Sequence, residues 1–308
     1  MLRRVLLAAS ASPRLRQLIV TAPQTRAIVD SYVAGETADD AVRVTRALRA
    51  SGLLVSLDYL GEDTTDEAQA TAVAEEYVHL LGKLAADGLT HGGATEVSVK
   101  ATAVGLFVRP GLAADNIKRI CEAAREAGTT VTLDAEGYDA IEPTHRIVKS
   151  LRADFPDLGC VIQASLRRSE ADCQEMAGYG SRVRLCKGAY SEPESVAFVA
   201  KREVDLAYAR CLRTLMNGAG YPMMATHDPR LIEITGSLAT LAGRSLDSFE
   251  YQMLYGIRPA EQQRLANTGA RMRVYVPYGG DWYGYLVRRL AERPRNLAFF
   301  LRSLGSKS

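Results

Sequence analysis

Val274-Tyr-Val-Pro-Tyr-Gly-Gly-Asp-Trp-Tyr-Gly-Tyr-Leu-Val-Arg-Arg-Leu-Ala-Glu292 carries a strand, a turn and a helix in one run. Val274 to Pro277 reads as a buried strand, Gly279-Gly280 breaks it, and Asp281 is placed to cap a helix reaching about Arg293. On that helix Tyr285, Arg288, Arg289 and Glu292 fall on neighbouring parts of one face. The face is polar where a packing helix would be apolar. Two adjacent guanidiniums offer paired donors that grip a carboxylate or phosphate from two sides. Taken alone, an Arg-Arg-x-x-Glu run is more often a solvated surface with one spaced ion pair. The rest of the chain decides between the two readings.

The strand-turn-helix unit recurs upstream. Apolar strand-like runs lie at Val55 to Leu60, Glu96 to Thr102, Thr130 to Ala135, Cys160 to Leu166, Val183 to Ala189, Pro222 to Thr226, Phe249 to Leu254 and Arg273 to Pro277. Segments of helical period separate them, among them Asp66 to Asp87, Ala113 to Ala127 and Ser195 to Asn217, and a further helix over Thr37 to Ser51 precedes the first strand. Regular alternation without consecutive hairpins implies parallel strands joined by crossovers. Eight such units predict an α/β fold, a (β/α)8 TIM-like barrel over residues 36–308, preceded by extra helices in residues 1–35. A doubly wound open sheet is the runner-up, but no GxGxxG follows the first strand to support it.

Composition narrows the function classes. The 308 residues are 47% hydrophobic and 24% charged, with a net charge of +2, ordinary values for a globular chain with a large core. No basic run with interleaved aromatics marks a nucleic-acid partner, and no window of apolar residues is long enough to span a membrane. The five cysteines, Cys121, Cys160, Cys173, Cys186 and Cys211, are odd in number and show no CxxC spacing, against both a zinc site and a disulfide framework. A reducing compartment follows, and the expected location is cytoplasmic. Arg3, Arg4, Arg14, Arg16 and Arg26 precede the first acidic residue, Asp30. An amphipathic helix packed beneath the domain is the reading preferred to a transit peptide or signal, with peripheral contact to the inner face of a membrane as the second.

The barrel reading places a site at the C-terminal ends of the strands. Glu62 follows the first strand, Lys100 ends the second, Asp134 and Glu136 the third, Gln163 and Arg167 the fourth; Arg184 and Lys187 lie in the fifth, Thr226-His227-Asp228 end the sixth, and Tyr275 is in the eighth. Charged side chains inside apolar strands are costly unless paired or used, and so many converging on one rim favour a site. Of the four histidines only His227 sits at a strand end, which excludes the cluster that a metal hydrolase needs. Lys100 or Lys187 as a desolvated Schiff-base amine is a real alternative, balanced against pairing with Asp134 or Glu136. A serine or cysteine nucleophile lacks its elbow and base. What remains is a cationic cavity with tyrosines and a carboxylate, suited to an anionic small substrate and an anionic cofactor.

The runs EVSVKAT (96–102), TLDAE (132–136), VIQASL (161–166), RVRLCKGAY (182–190), MATHDPR (224–230), FEYQMLYGIRP (249–259) and VYVPYGGDWYGYLVRRLAERP (274–294) resemble the successive motifs of the proline dehydrogenases, in order and over most of the chain. The resemblance implies a distorted barrel that holds FAD non-covalently, oxidises L-proline to Δ1-pyrroline-5-carboxylate and passes electrons to a quinone. Matching positions give Arg288 and Arg289 the substrate carboxylate, with Glu292 orienting them. Lys100 lines the pocket with Asp134, Tyr275 and Tyr285 close over the ring, and Glu62 gates the mouth by pairing with Arg288. For FAD the matching positions are Ala135, Gln163, Arg184, Lys187, Gly188, Ala189, Tyr190, Thr226 and His227, with Lys201-Arg202 as a candidate for the pyrophosphate. Arg184, Asp134 and Tyr275 are the expected catalytic set. Ser165 and Arg167 depart from the tyrosines that the family often carries after the Gln. The chain stops near Ser308 without an aldehyde-dehydrogenase module, so a separate pyrroline-5-carboxylate dehydrogenase is expected to take the product. The rivals are a Schiff-base lyase on the same barrel and a proline-binding regulator without catalysis.

Overall fold

The computed structural model describes residues 29–178, 181–190 and 192–292. Eight parallel strands close into a barrel in sequence order: β1 (Leu54–Tyr59), β2 (Thr95–Val99), β3 (Val131–Leu133), β4 (Gly159–Gln163), β5 (Arg182–Cys186), β6 (Tyr221–Ala225), β7 (Glu250–Leu254) and β8 (Met272–Tyr278), with β8 paired back onto β1. Closure excludes the open-sheet alternative. The helices are α1 (Ala38–Ala50), α2 (Glu67–Ala86), α3 (Leu112–Glu126), α4 (Tyr138–Leu151), α5 (Ser169–Gly178), α6 (Lys201–Asn217), α7 (Pro229–Leu241), α8 (Pro259–Asn267) and α9 (Trp282–Glu292). The basic N-terminal segment expected to be helical lies outside the described residues as far as position 28.

Local chemistry explains where the helices begin. Thr37 accepts from the Asp40 amide while the Asp40 side chain accepts from Thr37 N, a reciprocal cap that starts α1. Asp66 accepts from Gln69 N at 2.8 Å and starts α2. In α3, Ala113, Ile117, Ile120, Cys121 and Ala124 recur at helical spacing and are all buried. Burial of Ile117 and of Ile120 contributes roughly 1.5–3 kcal/mol each. The main core is the sleeve between strands and helices, built from Val55, Leu57, Val97, Val99, Leu133, Ile162, Leu185, Val274 and Val276 facing outward.

The barrel interior is the reverse. Alternation along each strand turns Ser56 and Asp58, Glu96 and Ser98, Arg182 and Arg184, Glu250 and Gln252, and Arg273 and Tyr275 away from that sleeve into the lumen. Barrels of this class usually fill the lumen with branched apolar residues. Here guanidiniums and carboxylates fill it.

Several expected elements begin or end elsewhere. β1 to β6 end earlier than the apolar runs suggest, with Lys100, Asp134 and Lys187 leaving the ladder to form the mouth, whereas β7 ends where expected and β8 runs one residue longer. The helix expected from Ser195 begins instead at Lys201. Phe198 N donates to Ser165 O at 2.7 Å and Ala197 bridges Leu166, so the preceding residues are tied across the loop after β4.

Candidate active site

At the centre of the mouth stands Arg184, whose strand β5 lies next to β4 and β6. Its Nη1 donates to Asp134 Oδ1 and to Ser98 Oγ, both at 2.8 Å, and its Nη2 donates to Ser56 Oγ and Glu96 Oε1, both at 3.1 Å. Four contacts from β1, β2 and the end of β3 therefore fix one guanidinium. Burial alone would lower its pKa, but Asp134 and Glu96 outweigh that and raise it, so the charge is permanent. Its Nε is buried and has no hydrogen-bond partner among the described residues. With both Nη atoms of the same guanidinium bonded, this leftover buried donor beside the mouth points to a group that is absent from the chain itself.

Asp134 takes a second bond at its other oxygen, where Tyr275 OH donates at 2.7 Å. The Tyr275 ring lies 5.3 Å from the Arg184 guanidinium carbon. Burial first, and then the Asp134 charge, push the phenol pKa well above its ordinary value, so Tyr275 stays a neutral donor. Arg184, Asp134 and Tyr275, expected together, are brought together.

The expected Lys100–Asp134 pair does not form. Lys100 Nζ instead meets Asp58 Oδ1 at 2.5 Å, and both side chains are nearly buried. The reason is stagger: Asp58 sits level with Ser98, one inward position below Lys100 on the adjoining strand, while Asp134 is already occupied by Arg184, Ser98 and Tyr275. Burial pushes the Lys100 ammonium pKa down, but Asp58 and Asp134 more than reverse it and it ends raised. A lysine held charged in this way is a poor amine nucleophile, which removes support from the lyase alternative. Lys187 likewise avoids Asp134 and Glu136. Its Nζ lies 2.6 Å from Asp205 on α6 and 3.1 Å from Asp228 after β6.

Unlike Asp58, Glu96 and Asp134, Glu136 forms no ion pair among the described residues. It is 4% exposed, accepts from Thr102 N at 3.1 Å and contacts Thr102 Oγ1. Burial dominates and raises its pKa to about 7. Gln163 Nε2 donates to the backbone oxygen of the same residue at 2.8 Å, tying the ends of β3 and β4 together.

Around this centre lie the other expected positions. Ala135 packs with Ile141, Leu166 and Ala197. Gly188, Ala189 and Tyr190 are exposed after β5. Gly188 has φ +105, and a Cβ there would lie 2.2 Å from Ser165 Oγ, so only glycine lets this backbone turn against the β4 loop. This is where the serine replacing a family tyrosine sits. Arg167, the other departure, donates to Glu194 O at 2.9 Å and stacks on Phe198. Thr226 is buried; Thr226 Oγ1 accepts from Asp228 N at 3.1 Å. His227 Nε2 accepts from Leu254 N at 3.0 Å, which assigns the ring proton to Nδ1. Lys201 is bound to Asp205 at 2.7 Å along its own helix.

The α9 side of the mouth depends on Gly279. With φ +119 it turns β8 into α9 against β1, where a Cβ would lie 2.9 Å from the Tyr59 ring. Tyr285 is buried among Leu60, Ile257 and Trp282, and the Arg289 guanidinium carbon lies 5.3 Å from the Tyr285 ring. The side chains of Arg288 and Glu292 lie outside the described residues, and with them the expected Glu62–Arg288 gate. Glu62 Oε2 is 3.5 Å from Tyr190 OH, so the loops after β1 and β5 meet over the mouth.

Asp58, Ser56, Ser98 and Glu96 are the residues that the motifs did not single out. Their signal was present as polar residues at every second position of VSLDY (55–59) and EVSVK (96–100).

The family model described as "Proline dehydrogenase" matches residues 41–302. Proline dehydrogenase 1 of Bacillus subtilis (strain 168) is 39% identical over 307 residues, covering 100% of both chains. The proline dehydrogenase of Deinococcus radiodurans is 34% identical over 98% of this chain and 97% of its own. Among solved structures, proline utilization A from Bdellovibrio bacteriovorus, inactivated by N-propargylglycine, superposes with a TM-score of 0.81 at 26% identity. That match covers 92% of this chain and 34% of the other, so the chain spans about a third of that protein's length. With the barrel, the Arg184–Asp134–Tyr275 cluster and a match over nearly the whole chain in agreement, this chain belongs to the proline dehydrogenase family.

Proposed function

We propose that the mouth of the barrel oxidises L-proline to Δ1-pyrroline-5-carboxylate, the first step of proline catabolism, using non-covalently held FAD and passing the electrons to a quinone. Two electrons and two protons leave the amine N–H and the adjacent C–H, so that proline and quinone become the cyclic imine and quinol. When bound, the flavin supplies the two-electron acceptor that amino-acid side chains lack.

The observation that carries this reading is the unpartnered, buried Nε of Arg184 in a guanidinium that four other contacts hold still. It fits a hydrogen bond from a fixed cation to the electron-accepting edge of a flavin, where it favours the reduced, more electron-rich ring. Gln163, Ala135, Thr226, His227, Lys187, Gly188, Ala189 and Tyr190 lie at neighbouring strand ends and would hold the cofactor. Asp134 keeps Arg184 oriented and receives the Tyr275 phenol. Lys100, held charged by Asp58, adds a cation on the substrate side, and Arg288 and Arg289 would clamp the carboxylate with Glu292 behind them and Glu62 as the gate. Tyr275 and Tyr285 would cover the ring.

No helix among the described residues is long and apolar enough to cross a membrane. We place the enzyme in the cytoplasm, reaching its quinone by peripheral contact with the inner membrane face and handing its product to a separate pyrroline-5-carboxylate dehydrogenase. Incubation with FAD, L-proline and a short-chain quinone tests the assignment: one quinol should form for each imine. Proline binding without quinol formation would instead support the regulator reading.

A further inference from the structure

Beneath Arg184 the lumen holds a second layer of charges that the reaction as described does not use. Glu96 on β2 is 0% exposed. Its Oε2 accepts from Arg182 Nη2 at 2.6 Å and its Oε1 from Arg184 Nη2 at 3.1 Å. Thr132 Oγ1 lies 3.4 Å and Arg273 Nε 3.8 Å from Oε1. Arg273 is itself committed to Glu250, with contacts of 2.6 and 3.0 Å. Burial would raise the Glu96 pKa, but Arg182, Arg273 and Arg184 reverse this and hold it at about 2, so it is a full negative charge.

The layer is more than packing in two respects. A buried ion network of this size stabilises a fold no better than apolar residues of equal volume, so stability alone does not account for it. Its ion pairs also connect in series, as a line of contacts Asp134–Arg184–Glu96–Arg182 with alternating sign and with one end at the mouth. In a low-dielectric interior such a line acts on whatever sits at its end.

We propose that Glu96, backed by Arg182, is a positioning residue for Arg184 and that this pair sets the reduction potential of the flavin. The proposal rests on the flavin reading above. Glu96, with Ser56, holds the Nη2 side of the fork, while Nε is left without a partner among the described residues. Its negative charge also offsets part of the Arg184 charge, and Arg182 in turn offsets part of the charge on Glu96.

Reduction adds electron density to the flavin, so removing a nearby negative charge favours it and removing a nearby positive charge opposes it. The test is the midpoint potential of bound flavin in three variants, measured by anaerobic spectroelectrochemistry. Glu96→Gln should move the potential to more positive values. Arg182→Gln should move it to more negative values by a smaller step, since Arg182 is farther from the mouth. The double variant restores the balance of charge and should return close to wild type. A purely structural role would add damage in the double variant and would not give opposite signs. If Glu96→Gln does not fold, Arg182→Gln and the double variant still carry the comparison. Wild-type potentials in every variant that holds flavin, or shifts of one sign only, would overturn the proposal. A wild-type chain that takes up no flavin would overturn the cofactor reading and this proposal with it.

Discussion

Tyr275 on β8 donates its phenol hydrogen to Asp134 after β3 across the lumen at 2.7 Å, while Arg184 holds the other Asp134 oxygen. One carboxylate thus joins three walls of the barrel. A hydrogen bond to a charged acceptor contributes roughly 1.5–3 kcal/mol, so Tyr275→Phe should lower kcat/KM for L-proline by about one to two decades with flavin retained. Wild-type efficiency in this variant would show that the bond is only structural.

The same phenol governs substrate choice in this account. A bulky ring at the mouth leaves little room for a 4-hydroxyl, so the wild type should prefer L-proline to trans-4-hydroxy-L-proline. Tyr275→Ser should lower proline efficiency and narrow the gap between the two. Steady-state kinetics in which the Ser variant keeps the full preference would place specificity elsewhere.

Asp58 and Lys100 form a nearly buried ion pair at 2.5 Å. Removing one partner strands the other charge, so Asp58→Asn or Lys100→Met should each cost about 3–5 kcal/mol in chemical denaturation. The double variant should recover most of that loss, because no unpaired charge remains. Additive losses would mean that the two residues act independently.

Glu136 gives the stability a pH dependence. Its rise from the ordinary 4.5 to about 7 corresponds to roughly 3 kcal/mol. The folded state holds this proton more tightly than the unfolded chain. The contribution is therefore complete below about pH 4.5 and lost as pH rises through about 7. Glu136→Gln cannot titrate, so its stability relative to wild type should improve across that window. Stability curves that stay parallel from acid to mildly alkaline pH would refute the assignment.

Much of the barrel could be read in the sequence. The eight strands appear in the expected order because apolar runs, helical periods and turn glycines agree locally, and Thr37 and Asp66 mark helix starts as their chemistry requires. Arg184, Asp134 and Tyr275 were legible as polar residues within or just past apolar strands. Partner choice was not. Whether Lys100 reaches Asp58 or Asp134 depends on the stagger of strands and on which carboxylate a distant guanidinium has already taken, and neither is a local property. Lys187 reaches Asp205 because the chain before α6 is tied to Ser165 rather than helical, again a tertiary effect. The lumen charges Glu96, Arg182, Arg273 and Glu250 alternate with apolar neighbours, and only closure of the barrel turns them inward to meet.

In the proposed reaction Arg184 and its neighbours hold a flavin that takes electrons from proline. The direct measurement is the anaerobic absorption spectrum of the purified protein before and after one equivalent of L-proline. Flavin bands should bleach on addition and return with a quinone, and in Asp134→Ala the bands should persist with bleaching slowed by about tenfold or more. A colourless protein after incubation with FAD, or flavin bands that proline leaves unchanged, would contradict it.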